Sequence, residues 1–305
     1  MSAVATIVSS MRTSTIEVCG PYSLEEVALM GFGHRDERTF DGVMRLEFCL
    51  DADLEQQVGV EVRQSGDRLD LVVHGEGDAP LDLAAVTRQV ARVVSADHDG
   101  EEFDRVCASD PVLARVHAVA PGFRPANFHS PYDACVWSVL SARRQRGQAI
   151  ALRQRLSERH GRVFELAGRA VPALPTPRTL AGLGHVDGLQ DAALPRLHGI
   201  AEAATAGRLD IDRLTAMMPE EAMLDLQELP GIGPFYSALV VIRACGLTDV
   251  LSTQEGHSRD AVRDLYGLDH DPDAAELAAI AEAWRPFRTW AAVMLRALSP
   301  RLPGL

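Results

Sequence analysis

Between Val43 and Val73 the apolar positions alternate with polar ones. Val43 to Leu50 form one run, Val58, Val60 and Val62 a second, and Leu69, Leu71 and Val73 a third, with Gln64-Ser-Gly-Asp67 as the turn between the last two. A period of two sends alternate side chains to opposite faces of a sheet, so this stretch predicts a half-buried antiparallel hairpin. From Leu81 to Val94 the period changes. Leu83, Val86, Val90, Val93 and Val94 fall at helical spacing, which predicts a helix covering that sheet. Residues 1–15 are small and polar, show no period, and are expected to be a disordered tail. The first domain is therefore read as an α+β unit over residues 16–99.

After Asp99-Gly100 the alternation stops, and residues 100–305 read as an all-α domain punctuated by Pro and Gly. Ser130-Pro131-Tyr132-Asp133 is a helix start, with a serine cap, a proline in the first turn and an acidic residue behind it, leading into a helix over Tyr132 to Leu140. Ala149 to His160 is a helix closed by Gly161, and the proline-rich Val171 to Pro177 a rigid loop. Further helices are predicted over Leu189 to Ala206, Glu220 to Glu228, Pro234 to Cys245, Ser258 to Tyr266, Ala274 to Ala283 and Phe287 to Leu298.

Charge narrows the function. At 305 residues and a formal net charge of -13, the chain is large enough for two domains but too acidic to coat nucleic acid, so any DNA contact must be local. Every one of its 30 basic side chains is arginine. The 5 cysteines, at 19, 49, 107, 135 and 245, have neither disulfide nor metal-ligand spacing. No stretch is long and apolar enough to span a bilayer, and Met1 to Ser14 lacks a signal-peptide core, so a soluble, cytoplasmic protein is expected.

One motif carries chemistry. In Leu229-Pro-Gly-Ile-Gly-Pro234 the glycines suit a tight connection between two helices, through positive φ and through close backbone approach. The amides that open the next helix then present partial positive charge to an anion without any basic side chain. Gly231, Ile232 and Gly233 are thus candidate phosphate contacts.

The hairpin, from Leu226 to Tyr236, its following helix, and Thr248-Asp-Val-Leu-Ser-Thr-Gln-Glu255 resemble the helix-hairpin-helix DNA glycosylases, and more narrowly the 3-methyladenine DNA glycosylase II branch. Ser130-Pro-Tyr-Asp-Ala134, Trp137-Ser-Val-Leu140, Trp284-Arg-Pro-Phe-Arg288 and the preceding α+β domain extend the resemblance over nearly the whole chain after the tail. It implies base-excision repair, with a damaged base flipped out of duplex DNA and its N-glycosidic bond hydrolysed by a monomeric enzyme. The family's catalytic aspartate falls at Glu255, a carboxylate one methylene longer. Glu255 is either the catalytic group or a solvated loop carboxylate, with Asp249 and Asp260 as nearby substitutes.

Other positions depart from the pattern too. Phe235 matches a base-stacking aromatic, whereas Leu239, Gly256 and Arg296 stand where aromatics are expected, leaving Tyr236, Trp290 and Phe128 as candidates to rebuild the pocket, although an aromatic residue is more often core than a wall of a ligand cage. Where the family places a loop that fills the vacated stack, this chain has Ala142 and Arg143, followed by Arg144. They open the most basic stretch of the protein, with Arg146, Arg153, Arg155, Arg159 and Arg162. Arginine can enter a minor groove there. The altered pocket and carboxylate also fit a non-catalytic relative that binds damaged DNA.

Some chemistries are excluded. Without lysine, the Schiff-base route of bifunctional relatives is closed, leaving a monofunctional hydrolase. No cysteine follows Cys245, so no iron-sulfur cluster is expected, and His257 and His270 lack zinc-ligand spacing. No cofactor is required. The resemblance implies a monovalent cation on the backbone carbonyls of Gln227, Leu229 and Gly231.

Overall fold

The computed structural model describes residues 11–75, 80–251 and 256–302. Strands β1 (Met11–Glu17), β2 (Met44–Leu50), β3 (Asp53–Ser65) and β4 (Arg68–His74) form an antiparallel sheet in the order β1-β4-β3-β2. Helix α1 (Leu24–Leu29) links β1 to β2, and α2 (Leu83–Val93) follows β4, capped by the Asp82 side chain on the Ala85 amide. Val86, Val90 and Val93 of α2 bury against Leu46, Phe48, Val60 and Leu71 of the sheet.

The expected tail is corrected at residues 11–15, which belong to β1. Only Ile16 of that strand is buried, so it offered no hydrophobic period; backbone pairing with β4, Met11 opposite His74 through Glu17 opposite Arg68, holds it. The sheet is also buried more fully than a half-buried hairpin. All of β2 is buried. Met44, Leu46, Phe48 and Leu50 join the core under α2, while the alternate residues Arg45, Glu47 and Cys49 face the helical domain.

The helical domain opens with α3 (Gly100–Ser109) and α4 (Pro111–His117), then α5 (Pro131–Ser141) and α6 (Arg146–His160). Ser130 caps α5 as its sequence predicts, accepting from the Asp133 amide at 3.0 Å. The domain is not wholly α-helical: β5 (Val163–Leu166) and β6 (Arg169–Pro172) form a hairpin that takes the start of the predicted loop. Four-residue strands carry too short a period to recognise. This hairpin seats on the sheet where β3 has Gly59; a Cβ there would meet the Phe164 ring at 2.7 Å.

Helices α7 (Pro177–Ala181), α8 (Leu194–Thr205), α9 (Ile211–Thr215), α10 (Pro219–Gln227) and α11 (Pro234–Ala244) complete a bundle around Trp137, Leu197, Leu226 and Val240 with α5 and α6. The final helices α12 (Gly256–Tyr266), α13 (Ala274–Ala281) and α14 (Arg288–Leu298) share a separate core with α3 and α4 around Phe103, Trp284 and Trp290. A cleft opens between these two helical groups. No described helix is long and apolar enough to cross a membrane.

Candidate active site and nucleic-acid interface

Helices α10 and α11 are joined by the predicted hairpin. Its turn closes through the Leu229 amide on the Leu226 carbonyl (3.1 Å) and the Ile232 amide on the Leu229 carbonyl (3.0 Å). Its two glycines serve different ends. Gly231 has φ +97°, a backbone conformation that favours glycine, and a Cβ there would lie 3.0 Å from Cδ of Arg196, whose side chain would have to shift. Gly233 is extended (φ -90°, ψ -179°) with nothing within 4 Å of its Cβ position, so only Gly231 fulfils the expectation of positive φ. A side chain at Gly233 would project into open space over the first turn of α11. That turn has no side-chain cap and has proline at its start, so its amides are left to an outside acceptor. Ile232 is buried and anchors the turn.

The loop after α5 stands beside this hairpin. Ala142 ends the helix, and Arg143 adopts φ +56°, a left-handed conformation rare for a side chain of its size. Arg143, Arg144 and Ala142 line a cleft of about 350 Å³ with Gln190 and Arg196. Arg144 turns back to the Leu140 carbonyl at 3.1 Å. Arg196, at the start of α8, is a contact that sequence reasoning missed; it is an isolated basic residue, and only the fold brings it against Gly231. No acidic partner is found for Arg143, Arg144 or Arg196 among the described residues.

The rest of the basic stretch does not form one binding face. Arg146 pairs with Asp36 (3.0 Å), Arg159 with Asp187, and buried Arg153 with Asp133 (3.0 Å); Arg162 reaches the Gly75 carbonyl at 3.2 Å.

A pocket begins in the first turn of α11. Phe235, Leu239, Ile242 and Arg243 repeat at helical spacing along one wall, facing Thr289, Ala292, Val293 and Arg296 of α14, with Val250 and Ser258 beside them. Its interior holds about 40 Å³. Phe235 is 44% exposed at the mouth. Leu239 and Arg296 also line the pocket. Phe32 supplies a second aromatic wall from the sheet domain, its ring 3.8 Å from the Arg243 guanidinium carbon. Sequence gave no sign of it, because Phe32 is distant along the chain.

Three proposed pocket aromatics are placed elsewhere. Trp290 is 1% exposed in the α3–α14 core, 5.2 Å from the Phe103 ring, and Phe128 is buried against Phe32. Tyr236 follows Phe235 on a helix and so turns away, its hydroxyl 3.2 Å from Ser141 Oγ at the end of α5. Asp249 is occupied by Arg285 and Arg288, each at 2.7 Å, and Asp260 is an exposed charge 3.8 Å from Arg263. Glu255 lies outside the described residues. His270 pairs with Asp269 and Glu276.

Where the sheet domain meets the helices, the structure buries polar groups that sequence reasoning did not single out. Arg153 bridges Asp133 and Glu47; burial pushes the Glu47 carboxyl up to about 7, opposed by Arg153. Beside them, burial holds the His34 and His129 imidazoles neutral, well below the usual histidine range, and neighbouring Arg153 and Arg35 act in the same direction.

The fold recurs in known proteins. Over 96% of this chain and 99% of the other, it superimposes on 3-methyladenine DNA-glycosylase from Archaeoglobus fulgidus with a TM-score of 0.75 at 22% identity. An 8-oxoguanine glycosylase/lyase from Clostridium acetobutylicum matches over 95% and 98% of the two chains with a TM-score of 0.64 at 14% identity. The chain has the helix-hairpin-helix DNA glycosylase fold. By sequence, DNA-3-methyladenine glycosylase of Bacillus subtilis is 22% identical over 65% of this chain and 67% of its own length. A Mycobacterium tuberculosis protein described as a probable bifunctional transcriptional activator/DNA repair enzyme AlkA is 25% identical over 69% of this chain but 42% of its own length, so the glycosylase fold here matches under half of that relative. No family model matches.

Proposed function

We propose that the protein is a monofunctional DNA N-glycosylase that excises alkylated or otherwise damaged bases from double-stranded DNA in base-excision repair, working as a soluble, cytoplasmic monomer. One observation carries this reading. The uncapped hairpin amides and the pocket wall belong to the same helix, α11, so the element that grips a phosphate also fixes where an extruded base is received. Relatives and structural neighbours named for glycosylase activity support it.

Glu255 is the proposed catalytic carboxylate. Both described flanks of its segment, Val250 and Ser258, line the pocket. In the reaction water adds to C1′ of the sugar as the C1′–N bond to the base breaks, and the base leaves with the electron pair. A carboxylate near C1′ stabilises the developing positive charge and takes the proton of the attacking water. Phe235, exposed at the mouth, is the proposed stacking surface for the base, and Arg143 the proposed filler of the space the base vacates. Three hairpin carbonyls, those of Gln227, Leu229 and Gly231, form a neutral oxygen set suited to a monovalent cation, which would add positive charge toward the DNA phosphate; the Leu229 carbonyl already takes one amide and keeps a second lone pair free.

Alkali-labile site formation on duplexes containing methylated purines tests the reading. Glu255→Gln is expected to lower the single-turnover rate about a hundredfold or more while leaving duplex affinity intact. An unchanged rate in that variant would remove Glu255 from catalysis. Tight binding by the wild type with no base release would make the protein a damaged-DNA binder.

A further inference from the structure

Base excision as proposed above uses none of the histidines and carboxylates buried at the seam between the domains. His34 lies between α1 and β2, Glu47 on β2, His129 just before α5 and Asp133 on α5, with side-chain exposures of 12%, 7%, 1% and 5%. Within this cluster both ring nitrogens of His34, both of His129 and Oδ2 of Asp133 are buried without a hydrogen-bond partner. Leaving so many polar atoms unsatisfied in one place is costly, and such groups call for a missing partner. The atoms converge. His34 Nε2 is 3.2 Å from Glu47 Oε1, and Asp133 Oδ2 is 4.0 Å from His34 Nδ1 and 3.9 Å from His129 Nδ1. One donor atom each from His34, Glu47 and His129 lies within 4.8 Å of the others.

We propose that His34, His129 and Glu47 bind a divalent transition-metal ion such as zinc at the seam between the two domains. Two neutral imidazoles and a carboxylate form a donor set that zinc accepts; ligands around tetrahedral zinc at about 2.1 Å stand roughly 3.4 Å apart, so donors within 4.8 Å of one another draw together by up to about 1.4 Å on binding. The same set argues against magnesium or calcium. Those ions need mainly oxygen ligands, whereas two of the three donors here are imidazole nitrogens. Arg153 would stay behind the carboxylates, orienting them and moderating the affinity. His34 sits two residues from the pocket wall Phe32, so an ion at the seam fixes the segment that carries that wall. The proposal does not depend on glycosylase activity.

The tag-free full chain, stripped with chelator, is dialysed against micromolar zinc and its metal content measured; cobalt(II) is then added and the visible spectrum recorded. About one ion per chain, a higher Tm with zinc, and the intense d–d bands of tetrahedral cobalt are expected. His34→Asn and His129→Asn should each abolish the cobalt bands while the protein still unfolds cooperatively. No uptake by the wild type, the pale spectrum of octahedral cobalt, or unchanged uptake in folded His34→Asn would overturn the proposal. If the variants fail to fold, the wild-type spectrum decides alone.

Discussion

At the seam between the domains, Arg92, Arg124, Arg153 and Arg243 are each less than a tenth exposed, and each donates to carbonyls or carboxylates of other segments. Around the hairpin, Arg143 and Arg196 are exposed, and with Arg144 they lack acidic partners among the described residues. The difference shows how a chain whose 30 basic residues are all arginine divides them. A guanidinium stays charged when buried and offers five donors in a fixed fork, so it can tie several carbonyls together where an ammonium would lose its proton. Arg124 does so for Ser95, His98, Cys19 and Pro21. In a protein of net charge -13, the arginines left unpaired and converging on one cleft are the ones available to an anion.

The comparison is broken most directly at the seam. Arg153→Leu strands the Asp133 and Glu47 carboxylates, and removing one partner of a buried ion pair costs about 3–5 kcal/mol. Urea denaturation at pH 7 should show most of that loss; a change under 1 kcal/mol would mean that the seam tolerates its carboxylates without arginine. The two hairpin glycines give the next effect. Gly231→Ala forces a side chain to φ +97° against Arg196 and is expected to cost about 1–3 kcal/mol. Gly233→Ala meets no atom, so its stability should stay within about 0.5 kcal/mol of wild type while duplex affinity, read by fluorescence anisotropy, falls. Equal affinity in Gly233→Ala would detach the hairpin from DNA binding.

Asp225 on α10 sharpens the surface side. Its carboxylate accepts from Arg213 at 2.8 and 3.0 Å, and that contact holds its pKa below the ordinary carboxylate range. A depressed folded-state value stabilises the protein above the unfolded pKa of about 4 and stops doing so as pH falls through the folded value. Asp225→Asn should therefore lower stability by at most about 1 kcal/mol at pH 7, and the gap to wild type should close on acidification below about pH 4. A gap that persists there would assign the loss to packing.

How much of this was legible depended on the range of the interaction. The hairpin, the Ser130 cap and the α2 stripe are set by neighbours within a few positions, and their residues announce them. Phe235 and Leu239 entered through the resemblance alone, and the fold brings both to the pocket lining. Trp290 was misassigned because an aromatic residue reads alike in a core and in a cage; its burial is decided by Phe103, far away in the chain. Strand β1, with Ile16 alone buried, has no pattern of its own and is ordered by β4. Phe32, Arg196 and the His34–His129 cluster share this cause: each acquires its meaning from a segment the fold brings from elsewhere. Even β2 carried its signal openly, since Arg45, Glu47 and Cys49 alternate with apolar residues as a solvated face would, but the helical domain covers that face.

The smallest change in stability is expected at the arginines that matter most for DNA. Arg196→Ala and Arg143→Ala remove exposed side chains without acidic partners, so unfolding free energies should stay within about 0.5 kcal/mol of wild type. Binding separates them. If Arg196 neutralises a phosphate next to the hairpin, its loss weakens binding to every duplex alike and reduces the slope of log K against log salt by about 1. If Arg143 enters the stack beside an extruded base, its loss leaves that slope nearly unchanged and instead narrows the preference for a duplex holding a damaged base over an intact one. An unchanged slope for Arg196→Ala would show that unpaired arginine at this cleft is ordinary surface charge, and the contrast between seam and hairpin would then describe burial alone.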